Sequence, residues 1–596
     1  MSNDRLLARR DLEFMLYEWL KVDQLAARER FHAYDRDMFD SVLDLAEHLG
    51  TEVFAPINRL LDENEPRMGL DGRVIQPPEL LTALRAFGES GLIASTFDEE
   101  IGGAQLPYAV RSACMTYLAA GSLATYAYPF LSEANAHLLV THGTPGQIAT
   151  FAIPILEGRW FGTMCLSEQQ AGSSLGDITT IAVPQEDGTH RVFGSKMWIS
   201  GGDHELADNI VHLVLARTPG APVGPRGLSL FIVPRHLPDG SGEPGERNDV
   251  TLVGLNHKMG YRGTTNTLLA FGDGAHTPGA QAGAVGFLVG EVGSGLPIMF
   301  DMMNEARIGV GAGAVAVGYT GYLHSLAYAR ERPQGRPMNL KDASAPQVPI
   351  IDHPDVRRML LAQKAYVEGG LALVLFCALL VDEQLTASTD DAAAEATLLL
   401  GLLTPIAKSW PSRWCLTAND LAIQVHGGYG YTRDFPVEQF YRDNRLNMIH
   451  EGTHGIQAVD LIGRKILRSS DGLRSLWTRM ERSIAAATAV GGAPARHAAA
   501  LAHHIAEVKA ALEDTREVEA LLANATSGLE AIGHVVVAWL WLEQECVARS
   551  GTGAFYEGKR SAAEYFFAHE LPIVTPLLDT LRRRDRLFLD LDPNSL

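Results

Sequence analysis

The chain has 596 residues, which is too long for one hydrophobic core and predicts about three or four domains. Hydrophobic residues make up 46% and charged residues 20% of it, a composition typical of globular proteins and not of disordered ones. The net charge of −21 argues against general binding to nucleic acid or to an anionic membrane surface.

The cysteines and the N-terminus indicate the compartment. Five cysteines are scattered along the chain without a C-x-x-C pair or a zinc-binding spacing, which suits a reducing environment. The first residues run straight into a mixed-charge helical stretch and lack the apolar core of a signal peptide. We therefore expect a cytoplasmic protein.

One uncharged run, residues 308–327, is long enough to cross a bilayer. It is rich in Gly and Ala, and neither a second span nor aromatic and basic flanks accompany it. Small residues at this density also let soluble helices approach one another closely. We expect a buried helix here and no integral membrane segment.

The first two domains differ in their hydrophobic period. From about residue 11 to residue 163 apolar residues such as Phe39, Leu43 and Ala46 recur at helical spacing, which predicts an all-helical N-terminal domain, residues 1–163. Short β-branched runs follow, for example residues 210–215 and 228–233, divided by polar stretches such as residues 238–249. They predict a middle β domain, residues 164–290, folded as an antiparallel barrel or sandwich.

Helical periodicity returns at Leu296. Segments 296–330, 356–382 and 397–425, followed by a helix that starts near Thr453, predict a four-helix bundle over residues 291–467, with a loop at residues 386–395. The last part, residues 468–596, is again amphipathic and predicts a helical C-terminal extension. The expected fold class is mostly α with a central β domain.

The segment HEGTH, residues 450–454, admits two interpretations. It matches H-E-x-x-H, which on a helix places His450 and His454 to hold zinc with Glu451 as the base. However, Gly452 and Thr453 between the histidines indicate a helix start with Thr453 as N-cap. Glu451 would then lie at the mouth of the helix, either as a general base in apolar surroundings or as an ordinary acid favoured by the helix dipole.

Four short motifs occur in a fixed order along the chain. They are MCLSE at residues 164–168, KMWIS at 196–200, QVHGG at 424–428 and EGT at 451–453. Together with the helical, β and helical domains, this order resembles the acyl-CoA dehydrogenases over roughly residues 10–467. The extended N-terminus and the helical tail resemble the longer branch, which includes methylmercaptopropionyl-CoA dehydrogenases and large bacterial fatty acyl-CoA dehydrogenases.

The resemblance implies an FAD-dependent enzyme that converts an acyl-CoA thioester to the trans-2-enoyl-CoA. Glu451 aligns with the base that takes the α proton, while the β hydride passes to flavin N5. Some relatives carry the base immediately before the arginine that aligns with Arg307, but Ala306 stands there, and Glu305 on a helix points about 100° away. Electrons would pass to an electron-transfer flavoprotein, and the protein would be a homo-oligomer, because family flavin sites borrow residues across subunits.

The resemblance also assigns binding residues. Leu166 and Ser167 would contact the flavin pyrimidine, Ser173 the pyrophosphate, and Trp198 with Ser200 the ring near N5. The remaining cofactor and substrate residues by resemblance are Arg332, Gln424, Gly427 and Gly428 from a neighbouring subunit, Thr453 on the adenine-side phosphates, and Asn304 and Arg307 on the helix that faces acyl-CoA.

Alternatives remain open at this point. The same fold could support a flavin oxidase or hydroxylase, and the zinc hydrolase that HEGTH suggests stays as a minor alternative, although spacing shows no third ligand. The chain also departs from the family pattern at Gln169, where proline is usual, and at residues 332–336 (RPQGR), where an aromatic residue is missing and Arg336 could share phosphate binding.

Overall fold

The computed structural model describes residues 5–338, 344–513 and 517–596, with the backbone alone for residues 301–304. The chain forms two compact units. The first contains Met1–Asp40, Pro107–Thr116 and Arg307–Leu596, and the second contains Ser41–Leu106 and Tyr117–Ala306. The borders at residues 163, 290 and 467 stay predictions.

The N-terminal part is mainly helical, as predicted. Its helices are α1 (Arg9–Glu13), α2 (Arg36–His48), α3 (Ala55–Glu63), α4 (Pro78–Glu89), α5 (Tyr108–Gly121), α6 (Leu123–His142), α7 (Pro145–Gln147) and α8 (Ile153–Leu156). The prediction of helices throughout was wrong where strands β1 (Arg67–Met68) and β2 (Val74–Ile75) pair antiparallel. Asp71 and Gly72, with φ +78° at the glycine, form the turn that joins them. The prediction was also wrong at its end, because the first strand of the β domain already begins at Phe161.

The β domain follows. Its strands are β3 (Phe161–Cys165), β4 (Ile181–Pro184), β5 (His190–Ser200), β6 (Ile210–Arg217), β7 (Leu228–Pro234), β8 (His236–Pro238), β9 (Pro244–Arg247), β10 (Val250–Leu255), β11 (Asn266–Phe271) and β12 (Ala284–Val289). Strands β5, β12, β7, β6 and β4 pair in turn, and β4 pairs back to β5, which closes a ring. Phe231, Val214 and Val192 are among the buried residues at its core.

Two details of the β domain differ from the prediction. Pairing is not wholly antiparallel, since β3 runs parallel to β6, with Phe161 opposite Ile210. A parallel pair needs a long connection, and here the chain passes through β4 and β5 between the two strands. Residues 238–249, expected only to divide strands, contain most of the β8–β9 hairpin.

Helices make up the remainder of the chain. They are α9 (Gly295–Glu331), α10 (Pro354–Thr386), α11 (Asp390–His426), α12 (Val437–Arg445), α13 (His454–Val459), α14 (Asp471–Val490), α15 (Ala493–Glu513), α16 (Val518–Ala523), α17 (Ala525–Ala548), α18 (Ala554–Tyr565), α19 (Val574–Arg582) and α20 (Leu587–Asp590). After α13 the helix continues in π geometry over Asp460–Ile466. The predicted loop at residues 386–395 is shorter than expected, because Thr389 caps α11.

The Gly- and Ala-rich run is a core helix, as predicted. Residues 306–322 of α9 are all buried. A Cβ on Gly311 would lie 2.0 Å from the Ala407 carbonyl oxygen, so α9 and α11 touch backbone to backbone at this point. Two other helices, α10 and α17, are long and apolar enough to span a membrane, but 94% and 83% of their most apolar windows are buried inside the protein.

Buried charges join the two ends of the first unit. Lys559 of α18 has no exposed surface, and its ammonium pairs with Asp11 of α1 and, at 2.9 Å, with Glu368 of α10. Gln544 of α17 accepts a further hydrogen bond from it at 3.1 Å. The C-terminal extension is therefore built into the same core as the N-terminus and the bundle. The predicted fold class, including the extra helical segment, is confirmed.

Candidate functional site

The turn that carries Glu451 has an unusual backbone. Glu451 has φ +52° and Gly452 has φ +85°, and the next residue, Thr453, caps α13 by accepting a hydrogen bond from Ile456 N–H at 3.3 Å. A left-handed conformation at a residue other than glycine is costly and persists where the surroundings impose it. The predicted helix start is confirmed, and the carboxylate projects from a strained turn just ahead of the helix.

Two side chains donate hydrogen bonds to the backbone carbonyls of this turn. Lys408 of α11, which is fully buried, donates from Nζ to the Gly452 carbonyl at 2.8 Å. Gln457 donates from Nε2 to the Glu451 carbonyl at 2.9 Å and to the Gly452 carbonyl at 3.4 Å. Both carbonyls of the turn are thus satisfied by the protein, so the position of the Glu451 carboxylate is fixed through its own backbone.

The surroundings of Glu451 make its carboxylate a stronger base than that of an exposed glutamate. The residue is only half-buried by surface but densely surrounded by protein, and this burial raises the pKa of its carboxyl against the lowering effect of Lys408 and Arg307. Burial also lowers the pKa of Lys408 to about 7, against the raising effect of Glu451. His450 stays neutral, since burial and then the Lys408 charge lower its pKa to about 3.

Arg307 lies in a buried ion pair on the same unit. Its Nη1 is 3.0 Å from Oδ2 of Asp460, in the π-helical segment that follows α13. The pair therefore ties α9 to the helix that Thr453 opens. The side chain of Asn304 lies outside the described residues, and Glu305, one position before Ala306, is 3.6 Å from His137.

The zinc interpretation of HEGTH does not fit this geometry. Because the helix begins at His454, the two histidines do not share a helix face. Within the described ranges, the one group of three His, Cys, Asp or Glu ligands that converges is His503, His504 and Glu507. His454 instead lies 3.6 Å from Glu530 of α17, so the extension contacts the residue three positions after Glu451.

In the second unit, a buried ion pair anchors the MCLSE motif to the KMWIS motif. Lys196, with no exposed surface, donates to Oε1 of Glu168 and to the Leu166 carbonyl, both at 3.0 Å. The Glu168 carboxylate also accepts from the hydroxyls and backbone N–H groups of Thr179 and Thr180, at 2.6–3.0 Å. Burial raises the pKa of Glu168, but Lys196 and these donors outweigh it and lower the pKa to about 2.

This anchor fixes the end of β3, where Leu166 and Ser167 lie. Both residues are half-buried, and the Ser167 carbonyl accepts from Met197 N–H at 3.0 Å. The substitution of Gln169 for the usual proline leaves a tight turn, since Glu168 and Ala171 pair through both of their backbone groups. The two motifs are therefore one structural element, held by a charge pair that neither motif reveals alone.

Trp198 of β5 has an unusual backbone conformation and an exposed side chain. The pairing of β5 with β11 shifts register between Thr267 and Leu269, which marks a β-bulge at Met197 and Trp198. Trp198 has φ +67° and is 59% exposed. A bulky residue in the left-handed region on an exposed bulge is a genuine outlier, typical of a residue that the fold presents to a ligand.

The two serines that were predicted to contact FAD differ in their exposure. Ser173 is exposed, whereas Ser200 is half-buried and its hydroxyl oxygen accepts from Asn266 Nδ2 at 3.2 Å. Both hydroxyl protons are available for donation, as a phosphate or a flavin carbonyl would require.

An exposed face of the first unit gathers the residues expected to act across subunits. Gly427 and Gly428 follow the end of α11, and a Cβ on either would meet no atom within 4 Å. Gln424 and Arg332 are exposed as well, and the Arg332 guanidinium lies 5.8 Å from the ring centroid of Tyr429. Bare backbone, an amide and a guanidinium on one open surface suit the close approach of a phosphate-bearing ligand.

Comparison with known proteins assigns the chain to a family. It matches the acyl-CoA dehydrogenase N-terminal domain at residues 56–159, the middle domain at 163–273, the C-terminal domain at 293–467 and the acetyl-CoA dehydrogenase C-terminal-like domain at 476–592. The 3-methylmercaptopropionyl-CoA dehydrogenase of Ruegeria pomeroyi is 36% identical, over 94% of each chain. The chain belongs to the acyl-CoA dehydrogenase family.

Further relatives support this membership. The broad-specificity linear acyl-CoA dehydrogenase of Mycobacterium tuberculosis is 34% identical, over 98% of both chains. The structure of ACDH-11 from Caenorhabditis elegans in complex with C11-CoA is similar with a TM-score of 0.78 at 17% identity, over 100% of this chain and 96% of that one. The expectation of an FAD-dependent oxidoreductase of the long branch is confirmed at the level of the family.

The sequence did not reveal three residues that the structure places around the family motifs. Lys408 supports the Glu451 turn, Lys196 neutralises Glu168, and Glu530 meets His454. A signal existed for Lys408, because it is the only charged residue in the apolar stretch 396–412 of α11. A lone charge inside a buried helix requires a partner, and the partner is not visible in the sequence.

Proposed function

We propose that the protein catalyses the α,β-dehydrogenation of an acyl-CoA thioester to its trans-2-enoyl-CoA, with Glu451 as the base. The observation that carries the proposal is the Glu451 turn, in which a carboxylate of raised pKa is held by two donors to its backbone. A base of this kind can take the weakly acidic proton on the carbon next to the thioester.

The residues of the chain would divide the work as follows. The Glu451 carboxylate accepts the α proton. The backbone N–H of Glu451 donates to the thioester oxygen, where negative charge develops. Arg307, fixed by Asp460, adds positive charge near the base. FAD, when bound, would supply the acceptor for the β hydride, so that the substrate loses a proton and a hydride and gains a carbon–carbon double bond.

The side chains fit FAD by their chemistry. Leu166, Ser167, Trp198 and Ser200 would hold the isoalloxazine, with Trp198 presented by the bulge. Ser173 and Thr453 would donate to phosphate oxygens, and the Thr453 hydroxyl keeps its proton free while its oxygen caps α13.

The exposed face around Gly427 supports a homo-oligomer. Arg332, Gln424, Gly427 and Gly428 would reach the FAD of a neighbouring subunit, with the bare glycine backbone permitting close contact. Arg336 donates from Nε to the Ala345 carbonyl at 2.6 Å, and its Nη groups could still share the phosphate.

The names of the relatives indicate the class of substrate. Their substrates, 3-methylmercaptopropionyl-CoA and linear acyl-CoAs, support an unbranched acyl chain. An electron-transfer flavoprotein would reoxidise the flavin, as the family resemblance implies.

The test is the visible spectrum of the purified protein under anaerobic conditions. Flavin bands that bleach with methylthiopropionyl-CoA or a straight-chain acyl-CoA would support the proposal and identify the substrate class. A protein that cannot be loaded with FAD, or flavin bands unchanged by every acyl-CoA, would refute it. Fast reoxidation by air, in place of transfer to an electron-transfer flavoprotein, would indicate an oxidase.

A further inference from the structure

Lys408 is an ionisable group that the reaction described above does not use. It sits on α11 where Gly311 lets α9 approach the backbone, and it has no exposed surface. Its ammonium donates to the Gly452 carbonyl at 2.8 Å, one residue beyond the base. A buried lysine without an adjacent carboxylate partner is costly, so its position calls for a function.

We propose that Lys408 is a positioning residue for Glu451, which holds the catalytic turn through the Gly452 carbonyl and whose charge decides the pH at which Glu451 acts as a base. The inference rests on the proposed function of Glu451 and concerns how that base is controlled.

The other charged or titratable groups described around Glu451 are held in pairs or kept neutral by burial. Arg307 is compensated by Asp460 at 3.0 Å, and Arg464 lies 3.7 Å from the same aspartate. His450 is neutral because burial lowers its pKa to about 3. On the side of α17, Glu530 pairs with His454, three residues away from the base.

Lys408 can change its charge near neutrality. Burial lowers its pKa to about 7, against the raising effect of Glu451. Below that pH the ammonium favours the ionised carboxylate, and above it the amine is neutral and still donates to Gly452. The Lys408 cation is therefore present on the acid side, where it favours the ionised Glu451 carboxylate and opposes the effect of burial.

Removing the charge of Lys408 should shift the acid limb of the pH–rate profile to higher pH. In Lys408→Met, the pKa of Glu451 should rise, because the Lys408 charge that lowers it is lost. The midpoint of the pH profile for flavin reduction should shift up by about one unit. At a pH below the midpoint, the rate should fall about tenfold. Lys408→Gln, which keeps a polar side chain without charge, should show the same shift.

The experiment measures anaerobic flavin reduction by stopped flow across pH in the FAD-loaded enzyme. Lys465→Met serves as the control, since it removes a lysine from the π-helical segment after α13 without touching the turn. A lower rate with an unchanged midpoint in both Lys408 variants would overturn the proposal, because a merely structural residue lowers the rate equally at every pH.

A second readout separates this proposal from the proposed function. Infrared difference spectra between the wild type and Glu451→Gln report the protonation of the Glu451 carboxyl without turnover. We expect its titration midpoint to rise in Lys408→Gln relative to the Lys465→Met control. An unchanged midpoint would overturn the role of Lys408, whereas a wild type that no acyl-CoA reduces would overturn only the dehydrogenase function.

Discussion

The buried pair of Glu168 and Lys196 provides a quantitative test of the flavin-motif region. Glu168→Gln preserves the shape of the side chain but removes the counter-ion of Lys196, whose ammonium has no exposed surface. Breaking a buried ion pair by removing one partner costs about 3–5 kcal/mol, because the remaining charge is left uncompensated. The loss should be local to β3, β5 and the turn between residues 168 and 171.

The assay is native-state hydrogen exchange followed by mass spectrometry on peptides from β5. A loss of about 3 kcal/mol or more corresponds to exchange faster by about a hundredfold or more for amides that open with this element. Glu246→Gln is the matched control, since Glu246 is exposed and accepts a hydrogen bond from Gly279 N–H at 3.2 Å. Its β5 peptides should exchange as in the wild type.

The pH dependence sharpens the same prediction. Burial lowers the pKa of Lys196, and Glu168→Gln removes the carboxylate charge that most strongly raises it again. A lysine whose pKa is lower in the folded than in the unfolded state destabilises the fold at every pH below the unfolded value. The stability deficit of Glu168→Gln relative to the wild type should therefore shrink as pH rises. Equal exchange in the Glu168→Gln and Glu246→Gln variants, or a deficit that does not change with pH, would refute the reasoning.

Three further predictions concern stability and the catalytic turn. Lys559→Met leaves Asp11 and Glu368 buried without their shared ammonium and should lower the free energy of unfolding in denaturant by about 3–5 kcal/mol. The control Lys509→Met loses an exposed pair with Glu481 and should lower it by at most about 1 kcal/mol. Equal losses of stability would contradict a core shared by the N-terminus, the bundle and the extension. Gly452→Ala should lower the free energy of unfolding by about 1–3 kcal/mol and slow flavin reduction, because φ is +85° and its Cβ would lie 2.7 Å from Gln457 Nε2. Gly455→Ala, with open space around its Cβ, should leave stability unchanged or raise it. A Gly452→Ala variant as stable and active as this control would contradict the strain assigned to the turn. Acid should weaken the β domain as pH falls from 4.5, the ordinary pKa of glutamate, toward 2, because Glu168 has a depressed folded pKa and its stabilisation is present only above the unfolded value; hydrogen exchange of β5 should show this in the wild type and not in Glu168→Gln.

The sequence was sufficient for features that depend on neighbours in the chain. Hydrophobic period located the long helices of the bundle and strands such as β6 and β7. The local chemistry of Gly452 and Thr453 predicted the helix start correctly. Even the short H-E-x-x-H match could be set aside on local grounds, because glycine and an N-cap residue interrupt the helix that a zinc site needs.

Features that depend on distant residues were not predictable in this way. Lys408 reaches Gly452 across 44 positions, and Glu530 reaches His454 across 76, so neither partner can be identified from spacing. The parallel pairing of β3 with β6 and the left-handed conformation of Trp198 follow from sheet closure and a register shift. In each case the tertiary structure, and not local propensity, decides the outcome.

The central claim is that Glu451 removes the α proton, and the most direct measurement is the loss of deuterium from an α-deuterated acyl-CoA under anaerobic conditions. We predict that Glu451→Gln retains FAD and loses this reaction by about two to four orders of magnitude. Glu305→Gln, which removes the carboxylate one position before Ala306, should react as the wild type does. Undiminished loss of deuterium in Glu451→Gln would contradict the account.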